Sequence, residues 1–437
     1  VELPETWKDM ISHRRANCYI LVNDLGQQPE YSDAYNCMAD RIADAVNLSK
    51  YLRDWDPWIY ASSGIFRQFD VALTERIVEG LVQQVDTFDY WLELMEKRRT
   101  TRWYRFYKDI YQALEQAIAV VRLKEAWGEG FAKGTARDLF KLYIDQYYQM
   151  DQAYRKFYAA YDKAKTPELL KGVRTRIEGI YANWFLQELG MKWSDRIKAE
   201  LSEWERIDRD IDQQHQFFDS IKSHLMRDGR VFVIIADGLR YEAGVELAER
   251  LQSEFSGDTK IEAMQGVLPS VTSIGMAALL PHKTLAIGAK GVFVNGEAAE
   301  GLLRREVLLR ESGYEARAIL LKDVLGMTTD EMRSALEGVR LVYIYQDRID
   351  DTGHHRNEQE VFQAVEDTIG EIVDGVRALR NKVSATNIYI TADHGFIYTR
   401  DPLGESDKLP AVVESGIERR YALTDGPVAD PNVISIK

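Results

Sequence analysis

Between residues 347 and 355 the chain crowds three aspartates and two adjacent histidines into nine positions, directly after the apolar run LVYIY. Carboxylates and imidazoles are common ligands of divalent cations, so metal binding is the chemistry this stretch suggests. Asp350 and His354 are four apart and would share a face if that turn is helical. A local Asp to His hydrogen bond explains them nearly as well. Two other stretches carry the same residue types, Asp237-Gly238 and Asp393-His394-Gly395. An Asp-Gly pair alone is usually a turn, whereas Asp-His followed by a flexible residue suits a divalent ion. Thr272, in VLPSVTS, adds a hydroxyl whose simplest role is to cap a helix.

Place is what separates these residues from scattered turns. After "MRDGR" the pattern is of short β-branched strands alternating with helices, as in a parallel sheet covered on both faces. The expected strands are 231–236, a segment in IEAMQGV, 316–321, 340–345 and 387–392, with helices starting near Tyr241 and Ser273. Val361, Val365, Ile369, Ile372, Val376 and Leu379 form the inward stripe of a further helix. AKGVFVNGEA reads as a hairpin bent at Asn295-Gly296. In open parallel sheets ligands bind beyond the carboxyl ends of the strands. Asp237, the 347–354 group and Asp393-His394 each follow a strand, so all fall at one edge of one sheet.

Residues 1–228 read differently, as a helical bundle or irregular helical array. Trp103, Tyr107, Ile110, Leu114, Ala117 and Val121 trace one helical stripe. LFKLYIDQYYQMDQAYRKFYAAYDKA suggests a second long helix, and TPELL a helix start capped by Thr166. The division expected is therefore 1–228 helical and 229–437 α/β. The net charge of −14 argues against nucleic-acid binding spread over the whole surface. No run approaches the roughly 18 apolar residues of a membrane span. Two cysteines, Cys18 and Cys37, fit reduced thiols and a cytoplasmic setting. The opening VELPETW and the closing VISIK suggest a piece of something longer.

VFVIIADGLRYE, LPSVTS, DRIDDTGHH and ITADHGFIY, in that order and spacing, resemble the PglZ domain of BREX phage-defence systems, a branch of the alkaline phosphatase superfamily. The resemblance covers roughly Val231 to Tyr398. It implies an alkaline phosphatase-like α/β domain with a central, mostly parallel sheet flanked by helices, preceded by an all-α N-terminal region. It also implies metal ions (Zn²⁺, or Mn²⁺ or Mg²⁺), one of them on Asp237, Asp393, His394 and the nucleophile Thr272. A second metal would take Asp350, His354 and a histidine that normally follows Asp-His-Gly. No histidine follows His394 in the 437 residues, so that ligand lies further along or the second site is incomplete.

The function expected is metal-dependent phosphoric ester hydrolysis through a phospho-threonine, with a phosphodiester, a nucleotide or a nucleic acid as substrate. Arg240 is a candidate phosphate contact, with an outward structural ion pair as its alternative. In KRRTTRWYRFYK, Arg98, Arg102 and Arg105 can share one helical face and form a candidate nucleic-acid contact; a solvated face over a packed aromatic stripe is the plainer explanation. The resemblance names a BREX methyltransferase and ATPase as partners. The competing function is a phosphatase-fold scaffold, weak or inactive in catalysis, that assembles BREX components.

Overall fold

Apolar and β-branched runs build the four strands of the central sheet; the two inner strands are buried throughout, and the two outer ones are partly exposed. These are β1 (Val231–Ala236), β2 (Ala316–Leu320), β3 (Leu341–Gln346) and β4 (Asn387–Ala392), in the order β2-β3-β1-β4 and all parallel. The computed structural model describes residues 4–401 except 86, 129, 132–133, 201–206, 228, 289–290 and 356–359, together with 421, 422, 424, 426, 428 and 433. By its internal contacts the chain divides into two compact units, 1–128 with 156–184, and 129–155 with 185–437.

In the second unit the crossovers are helical. Helix α1 (Tyr241–Glu254) follows β1, α2 (Thr272–Ala278) comes before β2, α3 (Arg348–His355) follows β3, and α4 (Val361–Val383) leads into β4. One face of the sheet presents Val231, Val233, Ile235, Tyr343 and Tyr345 to the helix Phe217–Met226, to α2 and to Leu308 and Leu309. The expected stripe of α4 is wholly buried, from Val361 to Leu379. α4 is also tied to the end of β3, where Gln346 Nε2 donates to Thr368 Oγ1 at 3.1 Å and to Glu371 Oε2 at 3.1 Å.

The hairpin is present as Leu285–Gly288, Gly291–Val294 and Glu297–Ala298. Its bend has positive φ at both Asn295 and Gly296, as a two-residue hairpin loop requires. The segment IEAMQGV does not join the main sheet. Within it Met264–Gln265 alone is strand, paired in parallel with Asp212–Gln213.

The first unit is helical, with Gln68–Gln83, Phe88–Arg98, Tyr104–Trp127 and Lys171–Ile180 among its helices. Leu73, Ile77, Leu94, Leu114, Ile118 and Ile177 are buried in it. Of the aromatic stripe, Trp103 and the aliphatic positions are buried and Tyr107 is half-buried. The compact units do not follow the sequence boundary at 228, which marks a change of local pattern: residues 129–155 and 185–227 are helix-rich yet make their contacts in the α/β unit. Cys18 and Cys37 are exposed free thiols. Among the described residues no helix is long and apolar enough to cross a membrane.

Candidate metal centre

Strand register brings the first two candidates together. Ala236 at the end of β1 is paired with Ala392 at the end of β4. The next residue on each strand is an aspartate, so Asp237 and Asp393 leave the sheet as neighbours, about one strand spacing of 4.8 Å apart. β3 lies on the other side of β1, with Gln346 opposite Ala236 and its carbonyl accepting from Asp237 N at 2.8 Å. Like charges side by side in a buried place oppose ionisation, as does loss of water. Burial, then the neighbouring Asp393 and Asp350 carboxylates, push the Asp237 carboxyl well above its ordinary range. Burial raises Asp393 as well, against the hydrogen bonds from Gly238 N and His394 N that lower it.

His394 and Thr272 complete a four-atom cluster. His394 Nε2 lies 3.4 Å from Asp237 Oδ1 and 3.6 Å from Asp393 Oδ2. Thr272 Oγ1 lies 3.0 Å from His394 Nε2 and 3.4 Å from Asp237 Oδ1. Four ligands at ~2.1 Å around a zinc ion stand ~3.4 Å apart along a tetrahedral edge, close to these separations. Three further features fit a cation. Donor atoms of Asp237, Asp393 and His394 all lie within 4.8 Å of one another. Asp393 Oδ2 is buried without a hydrogen-bond partner, an acceptor that a cation would satisfy. His394 Nδ1 lies 3.1 Å from Gly395 O; a proton on Nδ1 leaves the Nε2 lone pair facing the carboxylates.

The surrounding loops hold this arrangement. Gly238, at φ +75°, takes a left-handed turn that aims its N–H at Asp393 Oδ1, 3.0 Å away, and His394 N donates to the same oxygen at 2.8 Å. Gln214 is buried; its Nε2 donates to the carbonyls of Ala392 and Asp393, while its Oε1 accepts from Val267 N at 2.9 Å. It therefore ties the end of β4 to the loop leading to Thr272. Thr272 is the first residue of α2, and that helix can approach the strand end because residue 275 is glycine. A Cβ there would stand 2.2 Å from Asp393 O. Neither Gln214 nor Gly275 is apparent from local sequence, since each acts on a residue more than a hundred positions away.

Asp350 is on α3, half-buried and near enough to bear on the ionisation of Asp237. His354 is one turn along the same helix, so the two positions share a face; the side chain of His354 lies outside the described residues.

Compared with known families, residues 217–437 match the BREX system PglZ alkaline phosphatase-like domain. The chain belongs to the BREX PglZ family. Over 423 residues it is 36% identical to "Alkaline phosphatase-like protein PglZ" of Bacillus cereus (strain H3081.97), covering 96% of this chain and 49% of that protein. Over 394 residues it is 30% identical to "Alkaline phosphatase-like protein BrxZ" of Escherichia coli O9:H4 (strain HS), covering 86% of this chain and 45% of that protein. The chain thus spans about half the length of these curated PglZ-family relatives. The helical N-terminal region and the parallel α/β region that follows are those expected of the family.

Of the four basic candidates, Arg98, Arg102 and Arg240 are engaged within the protein and Arg105 is exposed. Arg240 faces inward. It pairs with the Asp151 carboxylate, donates to Phe396 O at 2.7 Å and lies over the Tyr398 ring, so its guanidinium is committed to protein rather than offered to phosphate. Arg98, Arg102 and Arg105 do not share a helical face, because one helix ends at Arg98 and the next begins at Tyr104. Arg98 is fully buried against Asp70 and the carbonyls of Ala61 and Ser63, out of reach of any nucleic acid. Arg102 is bound to Asn36, Gly26 and Ser32, and Arg105 is exposed, lying over Phe106.

Proposed function

We propose that this chain carries the centre of a metal-dependent phosphoric ester hydrolase, that it acts on phosphodiesters such as nucleotides or nucleic acid, and that Thr272 is its nucleophile. The observation that carries this reading is the approach of Thr272 Oγ1 to two of the donor atoms of the Asp237, Asp393 and His394 cluster. A divalent ion held by those three residues, Zn²⁺ or else Mn²⁺ or Mg²⁺, supplies the Lewis acidity that makes a threonine alkoxide accessible near neutral pH. The protein's own part is to hold Thr272 Oγ1 against the cluster, 3.0 Å from His394 Nε2 and 3.4 Å from Asp237 Oδ1. As Oγ1 bonds to phosphorus the ester P–O bond breaks, the leaving alcohol taking up the proton that the threonine hydroxyl gives up; water then cleaves the phospho-threonine, restoring the hydroxyl and releasing the phosphate. Asp350 and His354 on α3 are proposed as ligands of a second ion. A monoester dianion calls for more neutralising charge than a diester, and no third metal motif stands out in the sequence, which favours a diester.

The printed names of the relatives and of the matched family support a place in BREX defence, with the BREX methyltransferase and ATPase as proposed partners and the cytoplasm as the proposed setting. Residues 229–437 are proposed as the phosphatase-like domain and 1–228 as the helical region ahead of it.

The test is Thr272→Ala, assayed on chromogenic phosphodiester and phosphomonoester substrates with Zn²⁺ or Mn²⁺ supplied. Turnover should fall by about three orders of magnitude or more, while metal content and folding stay as in the parent. Parental turnover in the variant removes Thr272 as nucleophile. The large aromatic-rich helical region fits a second reading, a weakly active scaffold for BREX components. Absence of turnover by the parent with either metal, alongside normal partner binding, supports that reading.

A further inference from the structure

Arg240 joins the two loops that carry the cluster. It stands three residues beyond Asp237, and the carbonyl it binds belongs to Phe396, three residues beyond Asp393. One guanidinium therefore spans the crevice with Asp237 on one side and Asp393 and His394 on the other. Further contacts come from a third stretch of the chain. Asp151, on the helix Tyr148–Tyr161, pairs with the guanidinium and is itself buried. Tyr143 OH donates to Asp151 Oδ2 at 2.5 Å and accepts from Arg240 Nη2 at 3.2 Å.

One turn further along that helix the polarity reverses. Arg155, fully buried, donates to Glu242 from Nε at 2.8 Å and from Nη2 at 3.0 Å, and also pairs with Glu246 and Glu366. Glu242 Oε1 accepts from Tyr398 OH at 2.7 Å, and the Tyr398 ring carries the Arg240 guanidinium 4.4 Å from its centre. Asp151 and Arg155 on one helix thus grip Arg240 and Glu242 at the start of α1. Between them the two pairs bracket Phe396 and Tyr398, the continuation of the Asp-His-Gly loop.

Buried ion pairs contribute little net stability relative to apolar replacement, because desolvation offsets the attraction. Fixed geometry is what such a pair does supply. Asp237 and Asp393 leave the sheet on separate loops, and a loop free to yield would let their side chains part. We infer that the Asp151–Arg240 pair is a positioning clamp for the metal centre, making divalent-ion affinity depend on charges outside the ligand set. This rests on the metal-binding reading above.

The experiment titrates Zn²⁺ or Mn²⁺ alone into the parent, Arg240→Met, Arg240→Lys and Asp151→Asn by calorimetry, with Leu308→Ala as a core-cavity control in the same unit. Arg240→Met should weaken metal binding about tenfold or more. Arg240→Lys should recover part of that loss, and Asp151→Asn should weaken binding several-fold. Leu308→Ala should bind as the parent does despite a lower melting temperature. A folded Arg240→Met protein with affinity within about twofold of the parent overturns the inference and leaves the metal centre standing. If Arg240→Met does not fold, Asp151→Asn decides in the same way. A parent that binds no metal overturns the metal-centre reading and this inference together.

Discussion

Two buried charged clusters, one in each unit, are built on opposite rules. Around Asp70 every contact is attractive: Arg98 Nε donates to Oδ1 at 2.9 Å, Tyr111 OH donates at 2.8 Å, and the spare guanidinium donors end on backbone carbonyls. At the sheet edge two carboxyls stand side by side, one oxygen lacks a hydrogen-bond partner, and both hold their protons more tightly than an ordinary aspartate. The first cluster is complete in itself. The second leaves a buried acceptor that a cation would satisfy, and that contrast distinguishes a candidate binding site from a structural ion pair.

The contrast can be broken by substitution, because the two clusters should respond with opposite sign. Arg98→Ala leaves a buried carboxylate unpaired and should destabilise the first unit by about 3–5 kcal/mol in denaturant unfolding. Gly275→Ala drives a methyl into Asp393 O and should cost about 1–3 kcal/mol, with weaker metal binding in the same sample. Asp393→Asn removes one of two repelling carboxyls while keeping an acceptor for Gly238 N and His394 N. The metal-free protein should gain about 1 kcal/mol above the Asp237 value of about 8, where both carboxyls are ionised, and lose its metal affinity. A loss of stability instead would place Asp393 with Asp70 as a structural group.

The same repulsion sharpens into a pH dependence. A carboxyl whose proton affinity is raised by folding binds more protons in the native than in the unfolded state, so stability falls as pH rises. For Asp237, whose carboxyl is pushed up to about 8, the fall in the metal-free protein should begin near the unfolded value of about 3.9 and continue to that limit. Saturating Mn²⁺ or Zn²⁺ should flatten it. A metal-free melting temperature that rises over this interval argues against the ionisation scheme.

Where the sequence proved readable, the cause was local. Strand β1 is a continuous apolar run and β4 a run rich in β-branched and aromatic residues, each closed by aspartate, and the structure starts and ends them at Val231–Ala236 and Asn387–Ala392 as expected. The stripe of α4 is legible for the same reason. Errors came where neighbours along the chain are not neighbours in space. Arg98, Arg102 and Arg105 have helical spacing, but the helix stops between them and Asp70 draws Arg98 inside. IEAMQGV has strand composition, yet only two of its residues find a partner. The run from Leu139 to Ala164 is helical, but Tyr143–Tyr147 widens to a π turn, the stretch that brings Tyr143 to Asp151. Gln214, Gly275 and Arg155 are ordinary letters until the fold sets them against Asp393 and Glu242.

The pairing of Ala236 with Ala392 carries a constraint on change. Side chains alternate between faces along a strand, so deleting or inserting one residue in β1 or β4 would turn a carboxylate away from its partner and leave the backbone ladder intact. Such a protein could fold, express and pass for sound by circular dichroism while having no place for an ion. Length changes that keep the two aspartates together therefore belong in the loops before Val231 and Asn387; even two extra residues in one strand would preserve its facing but carry its aspartate about 6.6 Å past the other.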